Sequence, residues 1–370
     1  LLPFATAFMV VLLTTPSLIK VAFLKRLFDE PGDERKLHKR MVPTIGGIII
    51  FAGTLFAYAL WFPIGQVQEY GQVMESVKDF KFIVATLLIL FFVGVKDDII
   101  GTAPMKKLAA HVIVGLVLVL MADIRLKSLH GLFGMHENLP HWASVFLSLF
   151  TYIVVVNAFN LIDGVDGLAG GVGVICSSLF GVGFLLGGDP VMATLCFALA
   201  GALGAFLVFN FSPARIFMGD SGSLCIGLLI CVMAIKFVEL KNIPADSSIL
   251  HLVSPVFVMA VLFYPLADTL RIFIYRAMRG VSPFSADRNH LHHLLIDSGY
   301  SHRQTVLFIY GANLLVVGMA WLLRDLSVTW SFLAVGAFGA ALTQIPFLVK
   351  KYRTRKKDGP TERRLNADAA

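Results

Sequence analysis

Long apolar runs, broken at intervals by short and chemically dense polar stretches, constrain this chain more than any other feature. A hydrocarbon core of about 30 Å takes roughly 20 apolar residues per crossing helix. Eleven runs approach that length: 2–23, 44–62, 81–95, 108–123, 142–159, 167–186, 190–209, 222–238, 251–275, 304–323 and 329–349. They are too long and too uniformly apolar for barrel strands, so helices are expected. Composition agrees, at 57% hydrophobic and 15% charged with mean hydropathy +0.79, against about 45–50% and about 25% in soluble domains. The expected fold is an all-α polytopic membrane protein of about eleven transmembrane helices. Residues 1–349 form one integral membrane domain, and 350–370 form a basic tail. No loop is long enough for a separate soluble domain. Leu1 suggests a trimmed or processed start, but the first run has no small-residue cleavage site and leads into further runs, so it is expected to remain as a span.

Charge sets the expected orientation. The loops after the odd-numbered runs, together with the tail, hold 24 of the 31 Lys and Arg. Positive-inside asymmetry puts those loops in the cytoplasm, the N-terminus outside and the tail inside. The four cysteines, Cys176, Cys196, Cys225 and Cys231, all lie in apolar runs without a CxxC and are expected to be small buried hydrophobes.

Five polar stretches fall on that one face: RKLHKRMVPTIGG (35–47), KDDIIG (96–101), NAFNLIDGVDG (157–167), FMGDSG (217–222) and ADRNHLHHLL (286–295). Asp97 and Asp98 end the third run, where they are costly unless paired with cations or a metal. On a helix they point about 100° apart, so one can face a site while the other bonds a neighbour. Asn157, Asn160, Asp163 and Asp166 recur at spacing three, which on a helix makes one stripe. Gly164 and Gly167 allow a turn or a close ligand approach. Asp220 opens the eighth run, as part of a helix cap or as a carboxylate held for Mg²⁺. Arg288, His290, His292 and His293 fit a cradle for a diphosphate better than a zinc site, since no Cys or second His pair is nearby. His290 and His293 are expected to share a helix face. Lys36, His38 and Lys107 are candidates for a lipid phosphate. There is no GxxxxGK[ST] and no GxSxG, so phosphate is held without a P-loop.

From about residue 35 to 295, in motif order, this constellation resembles the polyprenyl-phosphate N-acetylhexosamine-1-phosphate transferase superfamily, glycosyltransferase family 4. NAFNLIDGVDGLAGG and DRNHLHHLL are the most specific motifs, supported by KDD and FMGDSGS. The resemblance implies an integral membrane enzyme that moves a sugar-1-phosphate from a UDP-sugar to undecaprenyl phosphate, releases UMP and uses Mg²⁺ or Mn²⁺. It implies catalytic roles for Asp97 and Asp98 and metal binding by Asp220 with Asn160 nearby. It implies nucleotide or diphosphate contacts by Asn157, Asp163, Asp166, His290, His292 and His293. The branch acting on UDP-N-acetylmuramoyl-pentapeptide has similar acidic motifs but a run of consecutive histidines where this chain has HLHH. The eleven runs, RKLHKRMVPTIGG and DRNHLHHLL look more like the UDP-N-acetylglucosamine branch that initiates O-antigen, enterobacterial common antigen or teichoic acid. His111 departs from the Gln expected in KLxxQ.

The expected location is therefore a bacterial plasma membrane. The expected partners are a UDP-N-acetylhexosamine, undecaprenyl phosphate and membrane lipid, with no nucleic acid. GALGAF at 201–206 offers a small-residue face for a homodimer. Asp98 has three open roles: removing a residual proton from the acceptor, orienting it, or helping to hold the metal. A two-step route through an aspartyl-phosphate stays open as well. The rival class is an ion-coupled transporter. Such paths place charges at mid-bilayer or on both faces, whereas these motifs gather at run ends on one face.

Overall fold

The computed structural model describes residues 1–25, 28–29, 41–66, 70–240, 254–280 and 289–357. Lys36, His38, Arg288 and the tail beyond residue 357 lie outside the described residues. The helices are α1 (Leu2–Leu24), α2 (Gly46–Leu60), α3 (Tyr70–Ile100), α4 (Pro104–Leu116, prolonged by one π turn to Met121), α5 (His141–Leu161), α6 (Leu168–Leu186), α7 (Pro190–Asn210), α8 (Gly219–Val238), α9 (Pro255–Val261), α10 (Phe263–Met278), α11 (Leu291–Asp297), α12 (His302–Leu322) and α13 (Val328–Lys357). One short antiparallel pair, Phe28–Asp29 with Val42–Pro43, precedes α2.

Each expected run contains helix, but they are not eleven equal spans. Among the described residues, eight helices are long and apolar enough to cross a membrane, or nine if α9 and α10 count as one. Helix α2 has only 15 residues. In α3 the charges at Lys81 and Lys96 confine the apolar stretch to residues 82–95. The expected single span 251–275 is broken, with α9 and α10 bent by 80°. Asn313 of α12, fully buried, bridges the break. Its Oδ1 accepts from Tyr264 N at 3.0 Å and its Nδ2 donates to Val261 O at 3.1 Å, so both freed backbone groups keep partners in an apolar setting. The expected tail also begins as helix, because α13 continues to Lys357.

Helix α8 is the centre of the bundle, with Ser221–Ile235 buried throughout. Between helices in lipid, close packing replaces the hydrophobic drive, and small residues permit it. A β-carbon on Gly47 would collide with the Gly222 backbone, and one on Gly94 with Ser221. These contacts bring α2 and α3 directly against the start of α8. The four cysteines are buried and free. Outward-facing side chains are apolar, as for Trp142, Phe146 and Phe150 along α5. The GALGAF face offered for dimerisation is covered within the chain, since Gly201 packs on the Phe4 backbone and Gly204 beside Phe8 of α1.

Candidate active site

The C-terminal ends of α3, α5 and α10 and the N-terminal ends of α4, α8 and α11 share one end of the bundle. The adjacent carboxylates of α3 diverge there. Asp98 points to α8, and its Oδ1 accepts from Asp220 N at 2.6 Å while its Oδ2 accepts from Ser221 N at 3.0 Å. It supplies the cap that Met218 does not, at a turn where Gly219 adopts φ +71°. A β-carbon on Gly219 would press on the Asp98 carboxylate. Burial pushes the Asp98 carboxyl up to about 6, against the lowering effect of Ser221 and of the Asp220 amide and with a small push upward from the Asp220 carboxylate.

Asp97 faces the other way. Lys107 Nζ of α4 lies 3.0 Å from Asp97 Oδ2 and also touches Asp220 Oδ2. Burial alone would raise Asp97, but its bonds to Asp220 and Lys107 hold it below the usual carboxylate range. Asn160 Nδ2 donates to Asp220 Oδ1 at 3.0 Å and to Ser223 Oγ at 2.9 Å. Its amide nitrogen, and not its carbonyl, is therefore turned to Asp220. Lys107, expected at a lipid phosphate, instead ties two carboxylates together.

The expected four-residue stripe is cut, because α5 ends at Leu161 and Asp163 and Asp166 lie on the following turn. Helix α5 ends before either glycine, with Ile162 as its C-cap, and Gly167 at φ +85° is the N-cap of α6. Burial, and then the carboxylates of Asp220, Asp98 and Asp166, push Asp163 far above the usual range. Asp166 turns away: its Oδ2 accepts from Ala214 N at 3.1 Å and lies 3.5 Å from His302 Nδ1. Asn157 Nδ2 donates to Ile153 O at 2.7 Å and lies 3.5 Å from His111 Nδ1.

His290 does not share a helix face with His293, because it precedes α11 in extended backbone. Its ring stacks on His292 instead, with centroids 5.3 Å apart and planes 8° apart. The cause is Asp268 of α10, fully buried, which accepts from His290 Nδ1 at 2.7 Å and from Leu291 N at 2.9 Å. The two motif regions meet at Gly164, where an added β-carbon would lie 3.3 Å from His292 Nε2 and 4.0 Å from His293 Cε1.

Sequence reasoning missed Asp268, Tyr264, Asn210 and Asn313. Buried Asn210 accepts from Gly167 N at 2.9 Å and donates to Ile216 O at 2.9 Å, and Tyr310 Oη donates to Gly167 O at 2.5 Å, so the Asp163–Gly167 turn is pinned on both sides. The available signal was a polar residue inside an apolar run.

The donors at this end are of the type a hard divalent cation takes, but among the described residues no three of them are arranged as a ready-made metal site. Asp97, Asp98, Asp163 and Asp220 are all oxygen donors, and among the described residues Lys107 is the ammonium that touches two of them, Asp97 and Asp220. Carboxylate oxygen in excess of positive charge is what Mg²⁺ takes, together with phosphate oxygens.

The sequence profile of glycosyl transferase family 4 matches residues 80–238, which hold the α3, α5 and α8 motifs. The undecaprenyl-phosphate alpha-N-acetylglucosaminyl 1-phosphate transferase of Escherichia coli (strain K12) is 31% identical over 294 residues, 78% of this chain and 74% of that protein. The protein of the same name from Yersinia pestis is 29% identical over 332 residues, 88% and 80% of the two chains. The decaprenyl-phosphate N-acetylglucosaminephosphotransferase of Mycobacterium tuberculosis (strain CDC 1551 / Oshkosh) is 34% identical over 295 residues, 75% and 71%.

Proposed function

This chain belongs to glycosyl transferase family 4, and on that premise we propose that it transfers N-acetylglucosamine-1-phosphate from UDP-N-acetylglucosamine to undecaprenyl phosphate, releasing UMP, as the first step of a cell-surface polysaccharide. The names of its relatives support both substrates. The observation that carries the reading is the meeting of Asp97, Lys107, Asp220 and Asn160 at the same end of the bundle as the contact between Gly164 and His292. The excess of Lys and Arg on that end's loops supports a cytoplasmic active face and a bacterial plasma membrane.

In the reaction an oxygen of the lipid phosphate bonds to the phosphorus that carries the sugar, and the bridging oxygen leaves with UMP. Positioning and charge neutralisation do most of the work in such a transfer. The acceptor is a phosphate monoester with a second pKa of about 6, so it is already largely ionised at neutral pH. Asp97 and Asp220 would hold Mg²⁺ or Mn²⁺, with Asp163 beside them, and the bound ion would neutralise the diphosphate. Asn160 orients Asp220 by donating to it. Lys107 keeps Asp97 and Asp220 together and places one positive charge beside the transferred phosphoryl group. Asp98 has both oxygens on backbone amides, which suits it to fixing the start of α8 better than to attacking phosphorus. The Asp163 turn and His292 flank the diphosphate, and the basic stretch with Lys36 and His38 is the candidate for the lipid phosphate.

The test is UMP release by purified protein with undecaprenyl phosphate and Mg²⁺. Turnover with UDP-N-acetylglucosamine alone is expected, with loss on chelation and recovery on adding Mg²⁺ or Mn²⁺. Turnover with UDP-N-acetylmuramoyl-pentapeptide alone overturns the sugar assignment. No release with any UDP-sugar overturns the transferase reading in favour of transport.

A further inference from the structure

Three side chains of α10, at positions 264, 268 and 271, lie on one helical face and each meets a different part of the segment 289–292. Tyr264 Oη lies 3.1 Å from His292 Nδ1. Asp268 holds His290 Nδ1 and the Leu291 amide. Arg271 donates to Asn289 O and lies 3.2 Å from Asp268 Oδ1. This face begins just after the break between α9 and α10, where the chain bends by 80°. We propose that Tyr264, Asp268 and Arg271 are positioning residues that fix His290 and His292 nitrogen by nitrogen, so that His292 presents a neutral Nε2–H donor to an anionic oxygen bound over Gly164.

The assignment follows from counting hydrogens in a buried place. If Tyr264 donates to His292 Nδ1, its hydroxyl hydrogen is satisfied and the ring carries its proton on Nε2. If the ring donated to Tyr264 instead, the hydroxyl hydrogen and Nε2 would both be left over. In the first arrangement one group remains, and His292 Nε2 is buried with no hydrogen-bond partner among the described residues. Such orphans are rare in folded proteins and point to a missing acceptor. Gly164 leaves room for it, since a methyl group there would already sit 3.3 Å from Nε2. The ring is neutral because burial holds His292 down to about 3, reinforced by His293, His290 and Arg271 and opposed by Asp268. On the transferase reading above, on which the ligand half of the proposal rests, the acceptor is an oxygen of the UDP-sugar diphosphate.

Protein labelled with ¹⁵N-histidine in lipid nanodiscs tests this, with the His292 signal identified by its loss in His292→Gln. Without substrate at neutral pH the wild-type ring is expected to be neutral and protonated at Nε2. Tyr264→Phe removes one hydroxyl and is expected to give mixed tautomers. It should also lower kcat/KM for the UDP-sugar about tenfold while leaving the KM for polyprenyl phosphate and the melting temperature unchanged. Asp268→Asn is expected to move the His290 signal and leave His292 at Nε2. Protonation at Nδ1 in the wild type overturns the proposal, as does a Tyr264→Phe variant that loses melting temperature and both KM values together. The nitrogen shifts need no substrate. Failure to release UMP from any UDP-sugar would therefore overturn the ligand half alone.

Discussion

Charged side chains gather at both ends of the bundle, but the two ends pair them differently. At the end opposite the candidate site, a cavity of about 340 Å³ is lined by Glu75, Asp79, Asp123, Arg125, Lys127 and Lys236 among others. There most charges have a counterpart, while Asp189 on the same cavity accepts from Met192 N at 2.9 Å and has no ion pair among the described residues. Lys236 lies 2.6 Å from Asp79 and 3.7 Å from Glu75, Asp123 takes both Arg125 and Lys127 at 2.7 Å, and Glu239 meets His130 at 3.1 Å. At the motif end Asp97 and Asp220 share Lys107, Asp98 turns both oxygens to backbone amides, and the buried Nε2 of His292 has no partner among the described residues. Pairs that close on themselves hold helices together. At the motif end one ammonium serves two carboxylates, and on the proposed function a bound ion and phosphate would join them there.

The sharpest way to break that comparison is to remove one carboxylate from each end. Asp220→Asn should cost at least about a thousandfold in turnover, because it removes charge placed at the reacting phosphates, with little change in melting temperature. Asp79→Asn should do the reverse. Asp79 is almost fully buried against Lys236, and breaking a buried pair costs up to about 3–5 kcal/mol, less here because Lys236 is partly exposed. The molecules that remain folded should turn over normally. UMP release per folded molecule, beside melting curves, separates the two. Equal losses of turnover would erase the distinction between the ends.

Lys107→Met comes next. It removes the ammonium that bridges Asp97 and Asp220, and turnover should fall about a hundredfold through lost positioning of charge. A variant with full activity at all metal concentrations would mean that the two carboxylates do not act as one site.

Much of the motif end was legible in the sequence, and the reason is local. Asp97, Asp98, Asn157, Asn160 and Asp220 stand at run ends where a polar side chain has few structural uses. The divergence of Asp97 and Asp98 followed from helix geometry alone. What stayed hidden depends on contacts between distant residues. Asp268 sits inside an apolar run, and its partner His290 is 22 residues away. Asn313 satisfies a helix break 49 residues upstream. The glycines at 164 and 167 were visible, but that Gly167 caps α6 and is held there by Asn210 and Tyr310 depends on other helices.

Asp98 offers a sharper test, in pH. Its folded carboxyl is raised to about 6 from an ordinary value of 3.8. The folded state therefore binds its proton more tightly than the unfolded state does. The stability this contributes is fully present below about pH 3.8 and is lost as pH rises through about 6. Across that window the wild type should lose roughly 1–3 kcal/mol that Asp98→Asn does not lose. Melting temperatures of both proteins at a series of pH values from acid to neutral read the difference. A flat difference would mean that Asp98 is not the buried, amide-bound carboxyl described here.

The smallest effect is expected from Asp123→Asn, and it bears most directly on whether the far end is closed. Asp123 is nearly half exposed and pairs with Arg125 and Lys127 across a solvated edge. Exposed pairs contribute about 0.2–1 kcal/mol, so the melting temperature should move by a degree or two at most. Arg125 keeps a second partner in Ser144 Oγ at 2.8 Å, so the loop retains its anchor. Turnover, KM for the UDP-sugar and KM for the lipid should all be unchanged. If any kinetic constant moved while the melting temperature did not, the paired charges of the far end would be coupled to the reaction. The cavity they line would then have to be treated as a second functional site and not as a closed electrostatic seam.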